Sequence, residues 1–161
     1  MVQPLSFLAL FLIATTMGLA LAHALEFPGK LRLDEDTYRA VQQIYYPGFT
    51  IGGLIGELGG LLVLIALLVL LPAGSERFWW TAAALAFMAL LHGTYWLWTH
   101  PVNSQWLEDA DLSGIGGLFF STFAGEGADW QQLRNAWEYS HIARSILGAA
   151  AFLSMAMALT Q

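Results

Sequence analysis

Four long apolar runs dominate the chain, at roughly 4–25, 48–71, 78–98 and 137–159, with polar segments of unequal length between them. A helix needs about 20 predominantly apolar residues to cross a bilayer, so each run predicts a membrane span. After the first comes EFPGKLRLDEDTYRAVQQIYYPG, in which Asp34 is placed to cap a short helix. Tyr38, Val41 and Tyr45 fall on one side of that helix, at i, i+3 and i+7, as in a helix lying at the membrane interface, and Pro47-Gly48 ends it. PAGSERF predicts a tight turn between the second and third runs. A long connection begins at about 99 and holds an apolar patch, 114–125, too short to span. Asp129 with Gln132 has capping-box spacing, so the last helix is expected to start near Trp130, ahead of its membrane part, and to run to about Leu159. The expected architecture is all-α: one domain, 1–161, built as an integral membrane four-helix up-down bundle. It carries a short interfacial helix and one long loop between helices 3 and 4. Single crossings put loops 26–47 and 99–136 on the same side.

Composition agrees with a membrane setting. The chain is 57% hydrophobic and 11% charged, where soluble domains carry about 25% charged residues. It has no cysteine, which excludes disulfides, thiolate ligands and iron–sulfur clusters. Net charge is −6 with no basic stripe, so nucleic acid is not an expected partner. Ala22-His23-Ala24 mimics a signal-peptidase site, but no positive start precedes it, and the first run reads as a retained span. Lys30, Arg32, Arg39 and Arg134 lie on the loop side and only Arg77 on the other. The positive-inside rule therefore favours cytoplasmic loops, in a bacterial inner membrane.

The polar residues inside the runs are not scattered. His23 ends the first. Glu57 is about nine residues into the second, or ~14 Å along its axis. His92 is near the end of the third, and Glu138, His141 and Arg144 open the membrane part of the fourth. All fall in the loop-side half. Ionisable groups in a bilayer are costly, face the protein interior and pair with one another. Gly52, Gly56 and Gly60 repeat every fourth residue beside Glu57, a pattern for close helix approach. Glu57 should therefore point inward, with Arg144 and His141 as its expected partners. Helix spacing puts Met88, His92, Tyr95 and Trp96 on one face, and Trp137, His141 and Arg144 on another. Together they predict a pocket near the loop-side interface, and the 114–125 patch reads as a lid over it, a re-entrant segment or an interfacial anchor.

Each residue also has a plainer reading. A lone histidine in a membrane helix is commonly a satisfied structural group, the tryptophans can be interface anchors, and the glycines can serve packing alone. His100, just outside its span, is either solvated or a wall of the pocket. A metal ion could take His23, Glu57, His92 and His141 as ligands, or a haem could sit between His92 and His141. Glu138-Tyr-Ser-His141 is a single Glu-x-x-His, and a di-iron bundle needs two.

His100-Pro101-Val102-Asn103, followed by Trp130, Arg134, Trp137-Glu138, His141 and Arg144, resembles the small four-helix membrane proteins of the anthrone oxygenase-like (DUF1772) family. That family's pattern is Pro-x-Asn after the third span and a Trp–Arg–Trp–His/Asn–Arg series entering the fourth. Some members oxidise anthrones to anthraquinones with O2 and no obvious cofactor. The resemblance marks Asn103, Trp130, Arg134, Trp137, His141 and Arg144, and does not extend to His23, Glu57 or His92. It implies a membrane-embedded oxidoreductase that binds a flat lipophilic phenolic or quinone-type molecule. His141, oriented by Glu138 or Glu57, would be the base, with Arg144 and Asn103 on the developing oxyanion. Tyr95, Trp96 and Trp137 would hold the ring. Two rival readings stand beside it. One is an accessory subunit that docks on a larger complex through the glycine face and residues 114–125. The other is a haem or quinone electron-transfer module.

Overall fold

The computed structural model describes residues 2–107, 118 and 129–161, and these are helical almost throughout. Helix α1 covers Val2–Lys30, α2 Glu35–Tyr45 and α3 Gly48–Leu70. Helix α4 covers Glu76–Thr94, α5 His100–Trp106 and α6 Trp130–Leu159. Among the described residues three helices, α1, α3 and α6, are long and apolar enough to cross a membrane, as in an integral membrane protein. Helix α4, expected as a fourth span, is not among them. It is 19 residues long, opens on Glu76-Arg77, and carries Thr81, His92 and two tryptophans in place of aliphatic side chains. Of the 114–125 patch only Leu118 is described, and it is exposed; the rest lies outside the described residues.

The helix starts follow local chemistry. Asp34 accepts from the Thr37 N–H at 2.9 Å, and hydrogen bonds from Thr37 hold its carboxyl below the usual range. Ser75 accepts from the Phe78 N–H at 3.2 Å, after a turn in which Gly74 takes a φ of 83° that suits glycine. Asp129 caps α6, accepting from the Gln131 N–H at 3.2 Å.

Two boundaries differ from expectation. Helix α1 continues through Pro28 to Lys30, past the predicted end near Leu25. Its last turn is anchored: Lys30 Nζ lies 3.0 Å from Glu26 and is buried between the rings of Tyr45 and Trp137, at 4.7 and 4.6 Å from their centroids. Nor does the chain enter a loop at 99. A π-helical turn, Tyr95–Thr99, joins α4 to α5. Its signature is the His100 N–H bonded to the Tyr95 carbonyl five residues back. The widening sits just before Pro101, which has no N–H to give and whose ring would collide with the carbonyl four residues earlier.

Helix α6 packs on α1 and α4, and α3 packs on α1 and α4. The glycine stripe explains how closely α3 approaches α1. A Cβ on Gly56 would sit 2.5 Å from Thr16 Oγ1 and 3.2 Å from the Leu12 carbonyl, and one on Gly52 would sit 3.2 Å from Leu19. Much of this face of α3 is covered by α1.

Polarity is layered along the helices. One end is an apolar core that includes Ile13, Leu64, Leu67, Met88 and Met155. The other end is an aromatic-rich cluster that includes Tyr38, Trp106, Leu133 and Trp137. Glu57, His92, His141 and Arg144 fall between the two, while buried Lys30 and Glu138 lie against the second cluster. Helix α2 belongs to the second cluster: Tyr38 is wholly buried, so this helix packs into the protein through one side rather than only lying on its surface.

Candidate functional site

Between the two apolar layers is a cavity of about 110 Å3. Each of the six helices described contributes to its wall, α5 together with the turn before it. Helix α1 gives Thr16 and His23, α2 gives Gln42 and Tyr45, and α3 gives Gly53 and Glu57. The α4–α5 segment gives His92, Tyr95, Trp96, Asn103 and Trp106, and α6 gives Trp137, His141 and Arg144.

Glu57 is the centre of the polar wall. One carboxylate oxygen accepts from Arg144 Nη2 and the other lies 3.0 Å from His92 Nδ1. The second nitrogen of His92 accepts from the indole N–H of Trp96 at 2.9 Å. An indole nitrogen only donates, so the His92 proton sits on Nδ1 and is donated to Glu57. Trp96 thereby fixes the histidine tautomer, and the histidine and Arg144 together hold the carboxylate. The glycine stripe places Glu57 here: it turns one face of α3 onto α1, and Glu57, one residue on from Gly56, faces α4 and α6.

His141 is set by different means. Its Nδ1 lies 2.9 Å from the Trp137 carbonyl, which can only accept, so Nδ1 carries the proton and Nε2 a lone pair. Nε2 faces Arg144 Nη1 at 3.4 Å, long for a hydrogen bond. The ring also meets Trp137 and His23, with centroids 4.0 and 4.5 Å away. The Arg144 guanidinium lies over the Tyr95 ring at 5.1 Å. Asn103 accepts from the Trp137 indole N–H at 2.6 Å, which leaves its amide N–H groups to donate.

The structure thus gathers His23, Glu57, His92, Asn103, His141 and Arg144 around one cavity, with Tyr95, Trp96 and Trp137 among its rings. Four other residues named from sequence are elsewhere. Glu138 is wholly buried but turned away, accepting from the Tyr38 O–H at 2.9 Å with Lys30 Nζ at 3.6 Å. It does not orient His141; the Trp137 carbonyl does. Trp130 packs with the aromatic cluster at the outer end, and Arg134 lies over its ring at 5.1 Å, outside the cavity. His100 is not solvated. It is fully buried, with Nδ1 3.1 Å from the Tyr95 hydroxyl and its ring against Trp96.

His23, Glu57, His92 and His141 share the cavity, but among the described residues no three histidine or acidic side chains converge as a metal-binding group. Both nitrogens of His92 are committed, to Glu57 and Trp96, which leaves none for a haem iron.

Sequence reasoning missed Lys30, Tyr38, Gln42 and Trp106. Lys30 looked like a loop cation, yet it is a buried clamp among Glu26, Glu138 and two rings. Its i, i+4 spacing from Glu26 was the available signal. Burial, with the Glu138 carboxylate next, pushes the Tyr38 phenol well above its usual pKa. Burial and the Tyr45–Glu26 hydrogen bond, 2.5 Å, do the same for Tyr45.

No protein-family model, curated protein or solved structure matches the chain.

Proposed function

We propose that this is an oxygenase- or oxidoreductase-like membrane protein of the anthrone oxygenase type, binding a lipophilic aromatic or quinone-type molecule in the cavity. In this reading α4 is a fourth span and the four long helices run up and down across a bacterial inner membrane, with α2 and α5 at the cytoplasmic side. The observation that carries the proposal is the pairing of His141 and Arg144 at the cavity wall. A histidine lone pair and a guanidinium, side by side in a site enclosed by aromatic rings, suit removal of a proton from a substrate whose charge then spreads onto oxygen.

In the reaction His141 Nε2 takes a proton from an activated CH2 group of the substrate. Arg144 and the Asn103 amide stabilise the resulting enolate or phenolate oxygen. The carbanion passes an electron to O2, the two radicals combine, and the peroxide collapses with loss of the second C–H proton. Overall a CH2 becomes a C=O, and O2 supplies that oxygen and one molecule of water. Glu57 keeps Arg144 in place and balances its charge.

The test is O2 consumption by the purified protein with a lipophilic anthrone. Wild type should turn over, and His141→Ala should lose turnover with unchanged helix content. A folded His141→Ala protein that is as active as wild type removes the histidine from the mechanism.

A further inference from the structure

Seven buried side-chain polar atoms have no hydrogen-bond partner among the described residues, and four of these belong to cavity walls: His23 Nδ1, Gln42 Nε2, Trp106 Nε1 and Arg144 Nε. All four residues are more than nine-tenths buried. An amide NH2, an indole N–H and a guanidinium N–H donate and never accept. A buried donor without an acceptor is costly, so these walls suit an occupant rich in acceptor oxygens. The donors lie at two ends. Arg144 is at the inner end with Glu57 and His92, whereas Gln42 and Trp106 are at the outer end, where α2 and α5 close the site. Glu57 already offsets the Arg144 charge, so the acceptors are best neutral carbonyl or hydroxyl oxygens rather than a carboxylate or phosphate.

Size narrows the choice. A cavity of about 150 Å3 holds benzene. At about 110 Å3 this one encloses a single ring, and a larger fused system would extend out through its open side. Its side is open to an apolar surface. Leu54 and Leu58 line it from α3 while remaining 51% and 41% exposed, and His92 of α4 and Trp96 of the turn after it line it while only partly buried. Of the main contacts between long helices among the described residues, α3–α4 is the most thinly packed. The glycines draw α3 towards α1, and the close approach of α3 to α4 comes deeper, where Met88 meets Gly60.

We infer that the cavity takes a neutral single-ring quinone or quinol with an aliphatic tail, loaded sideways from the bilayer. One ring oxygen meets Arg144, the opposite one meets Gln42 and Trp106, and the tail leaves between α3 and α4 past Leu54 and Leu58. The inference rests on the reading of the cavity as a small-molecule site, and it specifies the ligand and its path.

The experiment uses the full chain in phosphatidylcholine vesicles and a decyl-tailed benzoquinone with a photoreactive diazirine close to the ring. Labelling should fall on the α3 peptide bearing Leu54 and Leu58 or the α4 peptide bearing His92 and Trp96. An excess of untagged decyl-quinone should compete it away. Gln42→Leu with Trp106→Phe, which removes two donors without stranding a charge, should weaken labelling about tenfold. Labelling of α2 or α5 instead, still competed, overturns the lateral path while the small-molecule site stands. Labelling spread over lipid-facing helices, uncompeted and indifferent to the double substitution, overturns the tailed quinone. The anthrone assay on the same preparation then decides the broader reading separately.

Discussion

Two buried charge clusters use α6, and they do different things. In the outer one Glu138 accepts from Tyr38 and faces Lys30, which is closed in by Glu26 and the rings of Tyr45 and Trp137. It ties the end of α1 to α2 and α6. In the inner one Glu57 is held by Arg144 and His92, and the same residues wall a cavity with His141 beside them. Both bury a carboxylate with a cation. Only the inner cluster has both a cavity and a guanidinium with a donor still unused. A buried ion pair is therefore no sign of a site by itself; the outer cluster also leaves Lys30 Nζ without a hydrogen-bond partner, and the space beside the inner pair is what distinguishes the two.

The largest separation of the two clusters should come from Arg144→Leu. It strands Glu57 in the interior, where breaking a buried pair costs about 3–5 kcal/mol. Adding Glu57→Leu should recover most of that loss without restoring ligand binding, as read by denaturation in detergent alongside quinone labelling. Tyr38→Phe is the matching change in the outer cluster. It removes a hydrogen bond to a carboxylate and should cost about 1.5–3 kcal/mol, with labelling unchanged. Loss of labelling in Tyr38→Phe would mean that the clusters act as one. Gly56→Ala tests the scaffold. Its Cβ would press on Thr16 and the Leu12 backbone, an overpacking cost of about 1–3 kcal/mol, and α3 should shift so that Glu57 no longer reaches His92. The smallest effect belongs to pH. Tyr38 and Tyr45 have folded pKa values raised above those of the unfolded chain. Their contribution is full below about pH 10, the ordinary tyrosine value, and falls as pH rises beyond it because the unfolded chain ionises first. Tyr38→Phe should flatten that alkaline loss.

Much of this arrangement is legible in the residues. The caps at Asp34 and Asp129 announce their helices because a short acceptor before an amphipathic stretch has few other uses. Glu57 among small residues points to close packing on one side and polar partners on the other; Arg144 is found as expected, and His92 takes the place expected for His141. Depth counting brings Glu57, His92, His141 and Arg144 to one level because each helix rises regularly. What fails is direction around the axis and the placing of two helix ends. Glu138 and His141 are three residues apart, or about 60° around an α-helix. That is enough to send one to Lys30 and the other to the cavity. The first run is expected to end near Leu25 and the third near 98, yet α1 runs on to Lys30, which is anchored, and α4 is joined to α5 through a wide turn. The donors of Gln42 and Trp106 carry no sequence signal, since their orphaning arises only when α2 and α5 fold over the cavity.

The most direct test of the inner cluster as a binding site is native mass spectrometry of the protein released gently from its own membrane, comparing wild type, Tyr38→Phe and the Glu57→Leu/Arg144→Leu pair. The account predicts a bound aromatic molecule in the first two and none in the third. A wild-type protein that carries no small molecule and travels in a stoichiometric complex with another membrane protein would contradict it, and would make both clusters structural.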